Sequence, residues 1–574
     1  MRFFLNNALS NIWKTLTPLD KRKLGIVTIL VIIMTIIESL GVVSIMPFLA
    51  VLANPESVQQ NFLLKKIYIL LDTKNTNQFI VYLGSISLVI VIFSACLKII
   101  TQYSLSRFSS LQRHYFSSRL LDIYLKQNYS FFIQRNSADL IKILLNDVDQ
   151  VVWGVLKPLL TILSYGLIVI AMIILLIFYD PLMAFTTAGV IITFYTMMFL
   201  VVKKFMKKIS QEFSKANQER YQSCQEVFGG IKDVMINHAH DYYYERFDRN
   251  SRIYARHYAS QESLGQIPLH IIETIGYGCL IILAIFLVLQ NHSVGVILPV
   301  IGLYGVAAYR MLPAAQNIYR AITTYKFSEH VLNGVVQEFE LDEVKKGKEV
   351  KNEIINFNHQ IELIDVSFAY PNHPEKQILN HINIKIEKNA SLGVTGKSGS
   401  GKSTLMDIML GLLQPTSGML KIDGREVNER NVQSWQSLVS YVPQFIYLAD
   451  MSVAENIAFG TPKEQIDFHL VQNAAKLAQI DEFITQNLKD GYNTVIGERG
   501  ILLSGGQRQR LGIARALYKQ PQVMFMDEAT SALDNETEKT VNEAIQSLNG
   551  KITIVIIAHR ESALAECDRI FNFI

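Results

Sequence analysis

Two glycine-rich stretches far apart in the chain offer the same chemistry, the cradling of a phosphate group. Gly396-Lys397-Ser398-Gly399-Ser400-Gly401-Lys402-Ser403 fits G-x-x-x-x-G-K-[ST], after the apolar Ser391–Thr395 and before a helical run from Thr404 to Leu413. Glycines let backbone N–H groups wrap the phosphates, Lys402 supplies positive charge, and the Ser403 hydroxyl can reach Mg2+. The second stretch, Leu503-Ser504-Gly505-Gly506-Gln507, precedes the proline-free run Arg508–Tyr518 and offers an anion both N–H groups and a helix N-terminus. One chain carrying two halves of a nucleotide clamp suggests two chains meeting head to tail. Between these stretches and the C-terminus, Val523-Met524-Phe525-Met526 is an apolar strand ending in Asp527 and Glu528. Asp527 can hold the magnesium shell, and Glu528 can polarise an attacking water as general base. A further β-rich strand, Ile552–Ala558, delivers His559.

The order of these motifs resembles the ATP-binding cassette (ABC) family, and the resemblance implies ATP and Mg2+ as cofactors. Gly396–Ser403 with Thr404 would bind ATP, and Tyr370, between the strand-like Ile361–Phe368 and Pro371, would stack on adenine. Gln444, in Tyr441-Val442-Pro443-Gln444, would reach Mg2+ and the attacking water and link the site to the membrane part. Glu498, in Thr494–Gly500, would contact the intracellular tips. Ser504, Gly505, Gly506 and Gln507 would bind the partner's ATP, Asp534 of Ser531–Asp534 would cross to the partner's site, and His559 would touch the γ-phosphate. The implied working unit is a homodimer. Relatives usually continue beyond a strand like the one at Ile574 with a hairpin and a C-terminal helix.

The elements that must position these residues follow from composition. At 574 residues the chain exceeds one ordinary domain. Half of it is hydrophobic, and the mean hydropathy is +0.22. A net charge of +4 makes no case for nucleic acid as a partner. Cys96, Cys224, Cys279 and Cys567 lack paired spacing and read as buried free thiols. Met1–Asp20 has no signal-peptide pattern and reads as an amphipathic helix on the inner membrane surface.

Crossing a bilayer takes about 20 mostly apolar residues, and six stretches qualify: Leu24–Leu52, Phe79–Tyr103, Leu159–Tyr179, Leu182–Val202, Gly265–Leu289 and Val294–Ala321. Lys21, Arg22 and Lys23 before the first span and Lys203, Lys204, Lys207 and Lys208 after the fourth place both termini in the cytoplasm. The polar excursions Ser104–Lys157 and Lys203–Leu264 read as helices running on past the membrane, with tips at Phe131-Phe132 and Gly229-Gly230. This resembles the type IV ABC exporter fold, in which such tips dock on the ATPase domains. In the outer segment Ala53–Gln78, Phe62–Leu71 is either an interfacial helix or a packed loop. The predicted architecture is a multidomain membrane protein: an all-α six-helix transmembrane domain over 1–330, a linker over 331–358 containing the charged Leu341–Lys351, and an α/β P-loop ATPase domain over 359–574.

Charges inside spans are costly and mark function by default. Glu38, Glu273 and Arg310 are the substrate-cavity candidates, while Lys98 can snorkel from a helix end. Glu273 and Arg310 each lie about 24 Å below the outer turn on adjacent helices, so they either pair or face one water-filled vestibule; a structural ion pair locking two helices is the plain alternative. Glu38–Phe48 and Tyr309–Ala315 resemble the PglK-type flippases of bacterial protein glycosylation. That resemblance implies a polyprenyl-pyrophosphate-linked oligosaccharide moved across the inner membrane among membrane lipids, with Arg310 binding pyrophosphate. Two basic positions of that pattern are Leu269 and Asn317 here, with His270 and Arg320 as neighbouring substitutes. A generic exporter of lipids, drugs or peptides is the second reading. An ATP-gated channel or regulator is the third, disfavoured by the intact Glu528.

Overall fold

The computed structural model describes the chain except residues 1–9, 11, 54, 56–57, 59–61, 71–74, 180, 290–293, 347–352, 498–499, 529–534, 559–563, 566 and 574. It divides into two compact units, one of 1–126 and 135–347, the other of 127–134 and 348–574.

The first unit is helical because its apolar runs satisfy every backbone polar group internally, as a bilayer requires. Its helices are α1 (Pro18–Ala53), α2 (Phe62–Leu70) and α3 (Thr76–Leu125); then, after the tip helix α4 (Tyr129–Ile133), α5 (Ser137–Lys142), α6 (Lys157–Tyr179) and α7 (Pro181–Gly229), the second tip α8 (Ile231–Ile236), α9 (His240–Leu289) and α10 (Val294–Lys346). Each of the six predicted spans falls within α1, α3, α6, α7, α9 or α10. Among the described residues, Pro18–Leu52, Thr76–Leu125 and Ser137–Phe178 are long and apolar enough to cross a membrane. Isoleucines and valines such as Ile29, Ile36, Val89 and Ile92 are left exposed on these helices, as lipid contact allows.

Pro181 opens α7, where a missing N–H costs nothing, whereas Pro47 and Pro268 sit inside α1 and α9. Both polar excursions are helical with breaks at the expected places, and of the first only residues 127–134, which include α4, belong to the second unit.

One open alternative is decided in favour of a helix, and several expectations are corrected. Phe62–Leu70 is a helix, with Leu64 buried and Tyr68 edge-on to Phe79 at 5.1 Å. The predicted linker is helical as far as Lys346, because Val331, Leu332, Val335, Val336 and Phe339 form a buried stripe at helical spacing. Two single π-helical turns, Ile143–Asp147 and Val152–Leu156, interrupt the helix leading into α6, a feature with no apolar-period signal. Among the cysteines with described side chains none is buried: Cys96 is exposed and Cys224 and Cys567 are half-buried.

The second unit is built on two sheets. One is antiparallel, in the order β2-β1-β4-β5, from β1 (Gln360–Ala369), β2 (Gln377–Glu387), β4 (Ser417–Ile422) and β5 (Arg425–Glu426). The other runs β6-β7-β8-β3-β9 and is parallel throughout, from β3 (Ser391–Gly396), β6 (Val439–Val442), β7 (Val523–Asp527), β8 (Thr553–Ile557) and β9 (Arg569–Phe573). Every residue of β7 and β8 is buried, as strands covered on both faces must be. The helices that matter for the site are α11 (Lys402–Met409), after β3, and α12 (Gly505–Tyr518), before β7. Open parallel sheets place ligands beyond the C-terminal ends of their strands, and the ends of β3, β6 and β7 carry Gly396, Pro443-Gln444 and Asp527-Glu528.

Candidate nucleotide-binding site

The phosphate loop leaves β3 at Gly396 and turns into α11 at Lys402. Gly401 caps that helix with φ 103°, and a Cβ there would stand 3.0 Å from the Ile378 carbonyl and 2.9 Å from Leu379, so only glycine fits. Lys402 is buried, and its Nζ donates to the carbonyls of Gly396 and Lys397 at 2.9 Å each. The loop is thus curled round its own cation, ready for an anion to bring acceptors. Next in line, the Ser403 hydroxyl donates to Asp527 Oδ2 at 3.2 Å, and the Thr404 hydroxyl lies 3.1 Å from the Tyr370 phenol. Tyr370 itself is held edge-on by Phe368 at 5.0 Å.

Glu528 follows the last buried residue of β7 and takes φ 46°, a left-handed conformation uncommon for a non-glycine residue. Its N–H donates to the Ile557 carbonyl of β8 at 2.8 Å, which fixes the turn, and its Oε2 accepts from Gln444 Nε2 at 2.6 Å. The general-base candidate Glu528 and the Gln444 amide are therefore brought together from the ends of β7 and β6. Ser403 and Asp527 are hard oxygen donors side by side, a donor set that would suit Mg2+ if substrate phosphates completed its shell. Among the described residues no group of three His, Cys, Asp or Glu side chains could hold a metal alone.

Asp407, one turn along α11 from Ser403, was not flagged by any motif. Burial, and after it the charge of Asp527, push its carboxyl up to about 6. Burial and then Asp407 likewise raise the phenol of Tyr129, on the tip helix α4. Sequence alone could have singled out Asp407 only as an acid on an otherwise apolar helix face.

Ser504 caps α12: its Oγ accepts from the Gln507 N–H at 3.3 Å, and the Gln507 side chain accepts from the Ser504 N–H at 2.8 Å. The helix begins at Gly505, three residues earlier than the run predicted, so Gly505 and Gly506 supply first-turn N–H groups. Ser398, Gly399 and Ser400 form the loop's turn, and the Ser400 Oγ is buried with no hydrogen-bond partner. Asp534, His559 and Glu498 lie outside the described residues.

Two family models match this chain: the ABC transporter transmembrane region over residues 25–306 and the ABC transporter model over residues 379–531. The chain belongs to the ABC transporters. It carries the family's transmembrane region followed by its ATPase domain. It is 27% identical over 521 residues to the ATP-dependent lipid A-core flippase of Shigella sonnei, covering 90% of this chain and 88% of that protein. It is 42% identical over 211 residues to ABC transporter B family member 15 of Arabidopsis thaliana, which is 37% of this chain and 17% of that longer relative. A solved bacterial Atm1-family ABC exporter with ATP bound shares the fold, with a TM-score of 0.72 and 19% identity over 96% of this chain and 93% of that one.

In the membrane unit of this ABC transporter the candidate charges are arranged differently from expectation. Arg310 pairs with Glu38, Nη1 to Oε1 at 2.6 Å, and Lys98 reaches the same Oε1 at 3.1 Å. Glu273 instead faces His270 at 3.7 Å on its own helix. Of the two arrangements open to Glu273 and Arg310, the direct pair does not form, because equal depth on adjacent helices leaves rotation about each axis undetermined. Nor does Lys98 merely snorkel. Glu38 is 2% exposed, buried in a helix seam. Arg320, one of the two substitute bases, is occupied by Glu262 at 2.6 Å.

Proposed function

We propose that this chain is one half of a homodimeric exporter in the bacterial inner membrane, with both termini cytoplasmic, that couples ATP hydrolysis to the movement of a polyprenyl-pyrophosphate-linked oligosaccharide or related glycolipid. The observation that carries the hydrolytic half is the Gln444–Glu528 contact at 2.6 Å beside a phosphate loop already closed on Lys402.

In this reading Tyr370 stacks on adenine, and Gly396–Thr404 wrap the phosphates. Lys402 exchanges two backbone carbonyls for phosphate oxygens without changing its place. Ser403, Asp527 and Gln444 would hold Mg2+, which would supply positive charge against that developing on the phosphates. Glu528 takes the proton of the attacking water, and His559 fixes water, base and γ-phosphate in line. Ser504–Gln507 and Asp534 close the partner's site, and Glu498 reports its state to the intracellular tips. Closing and reopening bias the spans between inward and outward access.

The substrate class is supported by the cationic side chain of Arg310 within a span, by the resemblance of Glu38–Phe48 and Tyr309–Ala315 to glycolipid flippases, and by similarity over most of the chain to a protein named as a lipid flippase. Proteoliposomes holding a labelled polyprenyl-pyrophosphate oligosaccharide test it, with Glu528→Gln as the inactive control. ATP-dependent change of leaflet by the unsubstituted protein alone is the expected result. No transfer, with ATPase activity rising instead on simple lipids or drugs, would replace this reading by that of a generic exporter.

A further inference from the structure

The charges of the membrane unit form a triad from three helices: Glu38 on α1, Lys98 on α3 and Arg310 on α10. Around it lies an apolar seam. Met34 and Val42 stand one turn to either side of Glu38, Met311 and Ala314 follow Arg310, and Ile168, Met172 and Leu176 of α6 belong to the same cluster. In such surroundings a charge is costly unless it is paired and its remaining lone pairs are filled.

Glu38 meets only half of that requirement. Its Oε1 is shared by both cations, while its buried Oε2 has no hydrogen-bond partner. The cations are under-used as well. Arg310 gives Glu38 one Nη1–H rather than a two-pronged fork, and Lys98 and Arg310 keep 43% and 26% of their side chains accessible. The triad carries one net positive charge, and its single anion is built in.

We infer that Glu38 is an internal counter-ion that occupies Arg310 and Lys98 until a diphosphate headgroup displaces it, and that retakes them when the headgroup leaves. The inference rests on the glycolipid reading above and makes Glu38 a specificity-determining residue of that site. A diphosphate offers several charged oxygens against one shared carboxylate oxygen, and its geometry fills the guanidinium fork that Glu38 leaves half empty. A neutral amphiphile cannot repay the cost of breaking the triad. Glu38 therefore rejects uncharged lipids and assists release of charged ones.

The test is ATPase stimulation in proteoliposomes of the full-length protein by a polyprenyl diphosphate, with the monophosphate and the free polyprenol as comparisons. For Glu38→Gln the concentration of diphosphate giving half-maximal stimulation should fall by roughly tenfold, the step one freed charge-assisted contact gives. Maximal turnover should fall with it, because release is no longer assisted. Arg310→Gln and Lys98→Gln should move the half-maximal concentration the opposite way. A purely structural Glu38 would lower thermal stability and turnover without tightening the response. An unchanged or weakened response in Glu38→Gln, with the unsubstituted protein still stimulated by diphosphate, would overturn the counter-ion and leave the glycolipid reading standing. Indifference of the unsubstituted protein to diphosphate would overturn both. Should Glu38→Gln fail to insert, Glu38→Asp withdraws the carboxylate by one methylene and should shift the same readout in the same direction, by less.

Discussion

The two units carry charge in opposite ways. In the ATPase unit Lys402, Ser403, Asp527 and Glu528 sit within short motifs at strand ends, where local backbone geometry aims them. In the membrane unit Glu38 meets Lys98 from 60 residues away and Arg310 from 272 residues away, with no local motif at all. Chemistry on ATP is compact and recurs with the same donors in the same order, whereas a membrane charge is satisfied by whichever helix the bundle turns towards it. The first kind of site survives being read one segment at a time, and the second does not.

The comparison would break most visibly at Glu528. Glu528→Gln should lower ATP hydrolysis by about 10²–10⁴-fold while nucleotide still binds, measured as phosphate release beside nucleotide-binding titration. Substantial residual hydrolysis would mean that motif order had misassigned the base. On the membrane side Arg310→Ala strands a buried carboxylate. With Lys98 still in place it should cost about 3 kcal/mol, seen as a lower unfolding temperature in detergent or lipid discs. Adding Glu38→Gln should restore part of that loss, and strictly additive losses would show the two residues to be uncoupled.

A third, smaller effect concerns packing. A Cβ at Gly154, in the second π-helical turn, would collide with the Ser328 hydroxyl and stand 3.8 Å from Gln150, so Gly154→Ala should destabilise by roughly 1–3 kcal/mol. Ser328→Gly should relieve it in the double variant, and failure to relieve would move the cause to the π-turn itself. The smallest effect belongs to Asp568 in the ATPase unit. Its carboxylate accepts from the Ser391 N–H and hydroxyl at 2.7 and 2.8 Å, contacts that hold its pKa below the ordinary 3.8. A depressed carboxylate contributes stability above that ordinary value and loses it as pH falls through the lowered one. Because the group is exposed, Asp568→Asn should cost only about 0.5 kcal/mol at pH 7, a difference that vanishes in acid. A cost independent of pH would point to β9 packing instead.

Legibility followed the same division. The phosphate loop, the strand-end acids, the helix opening after Leu503 and the apolar helices that hold the predicted spans are readable because each depends on neighbours within a turn or a strand. The charged run from Leu341 reads as a solvated connector, whereas the buried helical stripe Val331–Phe339 carries α10 on to Lys346. The buried cysteines were expected on apolar context, yet a membrane helix exposes its apolar face to lipid, so Cys96 lies outside. Asp407 carries no motif, and Lys98 reads only as a snorkelling side chain, because their meaning lies in Asp527 and Glu38, on other elements.

Taken by itself, the sequence determined the class of the molecule: membrane-spanning helices by length and hydropathy, a nucleotide site by the spacing of glycine, lysine, serine and acids. Those are properties of backbone hydrogen bonding and short-range geometry, which a segment carries with it. Tertiary structure alone decided which charges meet. It paired Arg310 with Glu38 rather than Glu273, gave Glu38 a second cation, and placed Gln444 on Glu528, because rotation about a helix axis and the order of strands in a sheet are set by the packing of the whole.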